Sequence, residues 1–185
     1  MTSKRHIKLA KMTALITFII GTVIFGLYYL TSSSQMLLVG YIFILIAVIV
    51  NLIILILTLL KSNRNSNNDS KNSKELLKGV GLLLLNIPIG LVYAWMTLFL
   101  LGHMRITFRN DTSHELTEIN ILGCEIKNLK ELEPKESATV WIKIKGDCSI
   151  TMDYIVQGKN KSETVVGYVT SLMGRKTSYN IGGEK

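Results

Sequence analysis

Residues 36–60 read Met36-Leu-Leu-Val-Gly-Tyr-Ile-Phe-Ile-Leu-Ile-Ala-Val-Ile-Val-Asn-Leu-Ile-Ile-Leu-Ile-Leu-Thr-Leu-Leu60. A helix needs about 20 apolar residues to cross the roughly 30 Å hydrocarbon core of a bilayer. A soluble helix of this length would carry a polar face, and this stretch has none. Amides in lipid must bond within their own segment, so the stretch is expected to be a membrane-spanning helix. That reading decides the fold class, and the rest of the chain is read outward from it.

Upstream, the charge-free run extends back to Met12. It is long enough for two crossings, with the polar turn Thr31-Ser-Ser-Ser-Gln35 between them. The first span is expected over about 9–30, the second over 36–60, and the short turn makes them an antiparallel hairpin. The start, Lys4-Arg5-His6-Ile7-Lys8, also suits a signal peptide. The apolar part is too long for one, however, and 31–35 is a poor small-x-small cleavage site, so an uncleaved span is expected. Downstream, a second charge-free run goes from Gly79 to Gly102 and predicts a third span over 79–101. Residues 61–78 between them are Ser, Asn and Lys with little apolar content, which predicts a mobile loop.

The chain carries a formal charge of +8. Residues 1–102 hold nine Lys or Arg against Asp69 and Glu75, and residues 103–185 hold twelve against eleven acidic residues. The excess lies beside the spans, and the remainder shows no basic stripe of the kind nucleic-acid binders carry. Four basic residues precede the first span, five lie in 61–78, and none lies in 31–35. The positive-inside rule then puts the N-terminus and the 61–78 loop in the cytoplasm and residues 103–185 outside. Tyr28, Tyr29, Tyr41, Phe43, Tyr93, Trp95 and Phe99 fall toward the expected outer ends of their spans, where aromatic residues form belts. The Ile, Lys and Asn bias suits a low-GC bacterium, which makes the expected location the inner (cytoplasmic) membrane with a periplasmic or extracellular C-terminal domain.

After Gly102 the period changes to two. Ile106 and Phe108, then Ile119 and Ile121, alternate with polar neighbours; Val140, Ile142 and Ile144 alternate with Trp141, Lys143 and Lys145; and Cys148, Ile150, Met152, Tyr154 and Val156 make one face of the next strand. Asn110-Asp-Thr-Ser113, Leu132-Glu-Pro-Lys-Glu-Ser137 and Gly158-Lys-Asn-Lys161 read as turns. Strands follow at Val165–Thr170 and near Ser178–Ile181. Six or seven short strands in about 80 residues point to a small antiparallel β-sandwich of immunoglobulin-like type. The expected domains are therefore 1–102, three transmembrane helices, and 103–185, an extracytoplasmic β-sandwich. A domain this small often carries a staple. Cys124 and Cys148 are the candidates for a disulfide if the domain is exported; the other reading is two buried thiols.

Residues that could carry chemistry are few. His114 beside Glu115 in a turn reads as solvated surface. Asp147 and Asp153 lie six positions apart in one strand and do not converge, as acid–base pairs must. No nucleophile elbow, zinc-binding helix motif, phosphate loop or dinucleotide fingerprint occurs. No catalytic, metal or cofactor site is therefore expected. No acidic or basic residue lies between Met12 and Leu60 or between Gly79 and Gly102, which argues against proton or ion pumping. Asn51 and Asn86 are expected to bond between helices or between copies of the chain. Pro88 is expected to kink the third helix and Gly90 to admit a close neighbour. Asn110-Asp-Thr112 and Asn160-Lys-Ser162 match glycosylation sequons.

The expected function is non-catalytic. The helices hold the chain in the bilayer, and residues 103–185 meet a protein partner, as in a membrane-anchored immunity protein against a toxin or an accessory subunit of an envelope complex. Trp141 is the candidate contact if it lies on the solvent side of its strand; the other reading is that the strand has two buried faces. The alternative is a transport or channel component acting as a homo-oligomer.

Overall fold

The computed structural model describes residues 3–64 and 70–183. Three helices come first: α1 Ser3–Thr31, α2 Ser34–Arg64 and α3 Ser70–Leu101. Their apolar parts, Ile7–Thr31, Ser34–Leu60 and Leu77–Leu101, are long and apolar enough to cross a membrane, which makes this a membrane protein. The 61–78 segment differs from expectation. It is helical at both ends, as the last turn of α2 and the first two turns of α3, and 65–69 lies outside the described residues. Its Ser, Asn and Lys residues extend two helices already nucleated in their apolar parts, and extension adds one hydrogen bond per residue ordered.

Seven strands follow: β1 His103–Asn110, β2 Leu116–Gly123, β3 Lys127–Leu129, β4 Ser137–Lys143, β5 Cys148–Val156, β6 Lys159–Val169 and β7 Lys176–Ile181. They form two sheets, ordered β4-β1-β7 and β3-β2-β5-β6. The chain divides into two compact units, Met1–Trp95 and Met96–Lys185, so the last turn of α3 belongs with the strands.

The β unit has one core. Met104, Ile106, Phe108 and Ile142 from the first sheet meet Leu116, Ile119, Ile121, Ile150, Met152 and Tyr154 from the second, and all are buried. Alternation produces this directly, since side chains two apart share a face of a strand.

Two expectations are corrected. The arrangement is not purely antiparallel, because β7 pairs parallel with β1, Arg105 opposite Lys176 and Asn110 opposite Ile181. The chain reaches β7 by crossing from the second sheet, and it enters at the same end as β1. Consecutive β1 and β2 lie in different sheets. The hairpin before β6 is tighter than expected. Gln157 and Gly158 both take positive φ, 51° and 69°, and Val156 faces Lys159. That is the two-residue turn whose twist suits a hairpin. At the other predicted turn, Glu136 N donates to Glu133 O at 3.0 Å. Pro134 and Lys135 (φ 70°) occupy the central positions.

Candidate functional site

In the helical unit α1 and α3 are joined by polar contacts. Asn86 Nδ2 donates to Thr17 Oγ1 at 2.8 Å and to Ala14 O at 3.2 Å. Thr22 and Tyr93 share a hydroxyl bond at 2.8 Å, and Tyr93 stacks on Phe25 at 5.0 Å. Tyr93, one of the aromatic residues near the outer ends of the spans, packs between helices. Close packing comes from small residues the sequence reading passed over. A Cβ on Gly79 would sit 3.5 Å from Ile7 Cγ2 and 3.7 Å from Ala10 Cβ, and Ala10 and Ala14 are buried against Leu83. Small residues let helix backbones approach in lipid, where no water drives them together.

Asn51 behaves differently from Asn86. Its Nδ2 donates to Ala47 O of its own helix at 2.8 Å, and its buried Oδ1 has no hydrogen-bond partner among the described residues. It lines a cavity of about 440 Å³ between the three helices, with Phe18, Phe43, Asn86 and Gly90. A Cβ at Gly90 would meet nothing within 4 Å; the glycine widens this cavity and brings no helix of this chain close. Pro88 lies inside α3, which continues through it. A proline ring deprives the turn before it of one hydrogen bond.

In the β unit, Cys124 and Cys148 are joined by a disulfide across 24 positions, with their Cα atoms 5.2 Å apart. It staples the end of β2 to the start of β5. Trp141 is outward on its sheet, yet it is covered. Its ring centroid lies 6.0 Å from that of Phe99 and 6.5 Å from that of His103. The guanidinium carbon of Arg105 lies 5.2 Å from it. The last turn of α3 supplies Phe99, so Trp141 seals that turn against the sheet.

Between the sheets, Tyr154 and Tyr179 each donate to one oxygen of Glu163, both at 2.5 Å. Tyr179 is on β7 and Tyr154 on β5, so one β6 carboxylate ties the two sheets together. Burial, reinforced by the Glu163 charge, raises both phenols, Tyr154 well above the usual range and Tyr179 to about 12. Glu125 accepts from the Lys143 backbone N–H at 3.0 Å; that bond, and then Lys127, hold its carboxyl below the ordinary value.

Asn110 is fully buried. Its Nδ2 donates to His114 O and Leu132 O, each at 2.8 Å, and its Oδ1 accepts from Thr112 N and Oγ1. In this fold its sequon is closed to modification, whereas Asn160 is exposed. Among the described residues no three His, Cys, Asp or Glu converge as metal ligands do.

Four strands stand at sheet edges, β3, β4, β6 and β7; β6 differs from the others in length. At eleven residues it is the longest strand, and it stands at a sheet edge, paired with β5 alone. Lys159 and Lys161 charge its first part. Thr164-Val-Val-Gly-Tyr-Val169 carries no charge. No family model, no curated protein and no solved structure matches the chain.

Proposed function

We propose that this is a non-catalytic inner-membrane protein that holds an extracytoplasmic β-domain, layered like an immunoglobulin sandwich, against a protein partner. The open edge of β6 carries this reading. Exposed edges accept a strand from another chain, and natural proteins blunt edges that have no such use with charges or short length. The uncharged half of β6 shifts register against β5 around Val166, yet it bears no charge and is not short. The positive-inside distribution supports an external β-domain, and the disulfide supports an oxidising compartment. A toxin met from outside, with this chain as its immunity protein, and a neighbouring subunit of an envelope complex are the two partner classes that this placement suits.

A photo-crosslinking residue at Thr164, compared with one at Glu133 in a far turn, tests the reading in native membranes. A discrete adduct at 164 alone, abolished by Ser162→Lys on the same edge, is expected. No adduct at 164, or equal adducts at both positions, overturns it.

The unpartnered Asn51 Oδ1 favours a second reading, a transport or channel component in which a second copy supplies the missing donor. Conductance across a reconstituted bilayer, and its loss in Asn51→Leu, separates the two.

A further inference from the structure

Outside α3, the large apolar side chains that the β unit exposes are Ile126 (71%), Tyr168 (60%), Leu172 (60%) and Met173 (48%). In sequence they are scattered over nearly fifty positions; in the fold they gather at one end. β1 leaves α3 at His103, and antiparallel β4 brings Lys143 opposite it. Ile144 N donates to Gly102 O at 2.9 Å, and Gly174 N to Leu101 O at 2.8 Å. β7 begins there, with Lys176 beside Arg105. In the second sheet, β2 ends at Gly123 opposite Ile150, and β6 ends at Val169 opposite Cys148. The turns 123–127, 143–148 and 169–176 therefore all lie at the end where the last turn of α3 enters. Ile126, Leu172 and Met173 are in these turns, and Tyr168 is beside one.

Charge follows the same division. Lys143, Lys145, Arg175 and Lys176 are exposed at this end. Its two acidic residues are engaged. Glu125 accepts from Lys143 N and lies 3.4 Å from Lys127 Nζ, and Asp147 accepts from the Thr170 hydroxyl. Asp111, Glu115, Glu133 and Glu136 are at the opposite end. The near-neutral total of residues 103–185 conceals a unit that is basic where it meets α3 and acidic away from it.

We infer that this end of the β unit is a lipid-headgroup site. Ile126, Leu172 and Met173 seat at the surface of the bilayer that α3 crosses, and Lys143, Lys145, Arg175 and Lys176 bind the phosphates of anionic lipids. Two observations choose this occupant. The last turn of a membrane span enters at this same end, so chain continuity holds the surface at the headgroup layer. The apolar tips and the long cationic side chains are the pair of groups that this layer accommodates, the first in its apolar boundary and the second at its phosphates. The inference is independent of the β6 edge as a partner site.

The test uses the full chain in nanodiscs. Leu172→Trp, in a Trp95→Phe, Trp141→Phe background, places a reporter at this end, and Lys159→Trp in the same background places one at the other. Nonreducing gels confirm that the Cys124–Cys148 bridge has formed in each variant. Brominated phosphatidylcholine should quench the first reporter and not the second. Adding phosphatidylglycerol should strengthen the quenching about twofold, and Arg175→Glu with Lys176→Glu should remove that gain. No quenching at 172, with or without shielding from a soluble quencher, overturns the inference; shielding without quenching identifies a protein cover instead. Quenching that ignores both phosphatidylglycerol and the charge reversal overturns the assignment to anionic headgroups.

Discussion

The two units treat the same side chains in opposite ways. In the helical unit, Leu45, Ile49, Leu60 and Leu91 are exposed, and the buried centre is small: Ala10, Ala14 and Leu83. In the β unit, Met104, Ile106, Phe108, Ile121 and Ile150 are buried, and most polar members of the strands, Arg105 and Asn110 excepted, are exposed or half-buried. Burial from water drives the second arrangement. Lipid is as apolar as leucine, so no such force acts between the helices, and fit between small residues and a few hydrogen bonds hold them together. An exposed leucine therefore has two meanings here. On α2 it marks contact with lipid. On the turn before β7 it marks something left for the membrane surface to cover.

The contrast can be broken most sharply by truncating one large side chain in each unit. Phe108→Ala should cost about 3–5 kcal/mol in the β unit. Leu45→Ala, on a lipid-facing position of α2, should change stability by under about 1 kcal/mol, because the replaced contacts were with lipid. Denaturant titration in micelles, followed by near-ultraviolet dichroism for the β unit and helix content for the spans, measures both. A comparable loss at the two positions would mean that α2 is covered by protein.

The disulfide should come next. Cys124→Ala with Cys148→Ala should remove roughly 3 kcal/mol, the entropy of an open loop of this length, from the β unit alone. Melting with and without reductant checks it. Reductant should lower the melting temperature of the parent chain and leave the variant unmoved.

Alkali separates the units in another way. Tyr154 and Tyr179 hold their protons in the fold to a higher pH than in the unfolded chain, where phenols titrate near 10. The stability they contribute is complete below pH 10. It is lost as pH rises from there through about 12, the folded value of Tyr179, since only the unfolded state has then released its protons. Stability of the β unit should fall across that window, and Glu163→Gln should weaken the sheet-to-sheet tie at neutral pH. Phenolate absorbance against pH, beside the unfolding curve, checks the sign.

The smallest effects belong to the two asparagines. Asn86→Leu should weaken the α1–α3 contact by about 0.6–1.7 kcal/mol, the range measured for interhelical hydrogen bonds in membranes. Asn51→Leu removes an acceptor with no partner among the described residues, so it should leave the monomer as stable or slightly more so. A variant that instead loses a dimer on cross-linking would place the missing donor in a second copy.

Period and charge made much of this legible without coordinates. The spans follow from runs free of charge, and β1, β2 and β5 from alternation whose apolar members Ile106, Phe108, Ile119, Ile121, Ile150, Met152, Tyr154 and Val156 are all buried. Some signals were too weak to read. β3 is three residues long and gains its order from pairing with β2. The first half of β6, Lys159 to Ser162, is wholly polar and becomes a strand only because β5 lies alongside it. Arg105 sits at a polar position of an alternating strand and is nevertheless buried, since Trp141 stacks over it. The candidate residues divide likewise. Cys124 and Cys148 could be named from their types, but a staple needs a Cα separation that spacing along the chain does not supply. The cover over Trp141, from Phe99, His103 and Arg105, comes from other elements and was not visible in its own strand.

The sequence by itself determined which residues enter lipid and which remain in water. That partition depends on solvation of each segment, and composition reports solvation locally. The tertiary structure alone decided which strands are neighbours, that β7 runs parallel to β1, and that Ile126, Leu172, Met173 and four cations from three separate turns converge beside the end of α3. Convergence is a property of pairing between segments far apart in the chain, so no window of residues contains it.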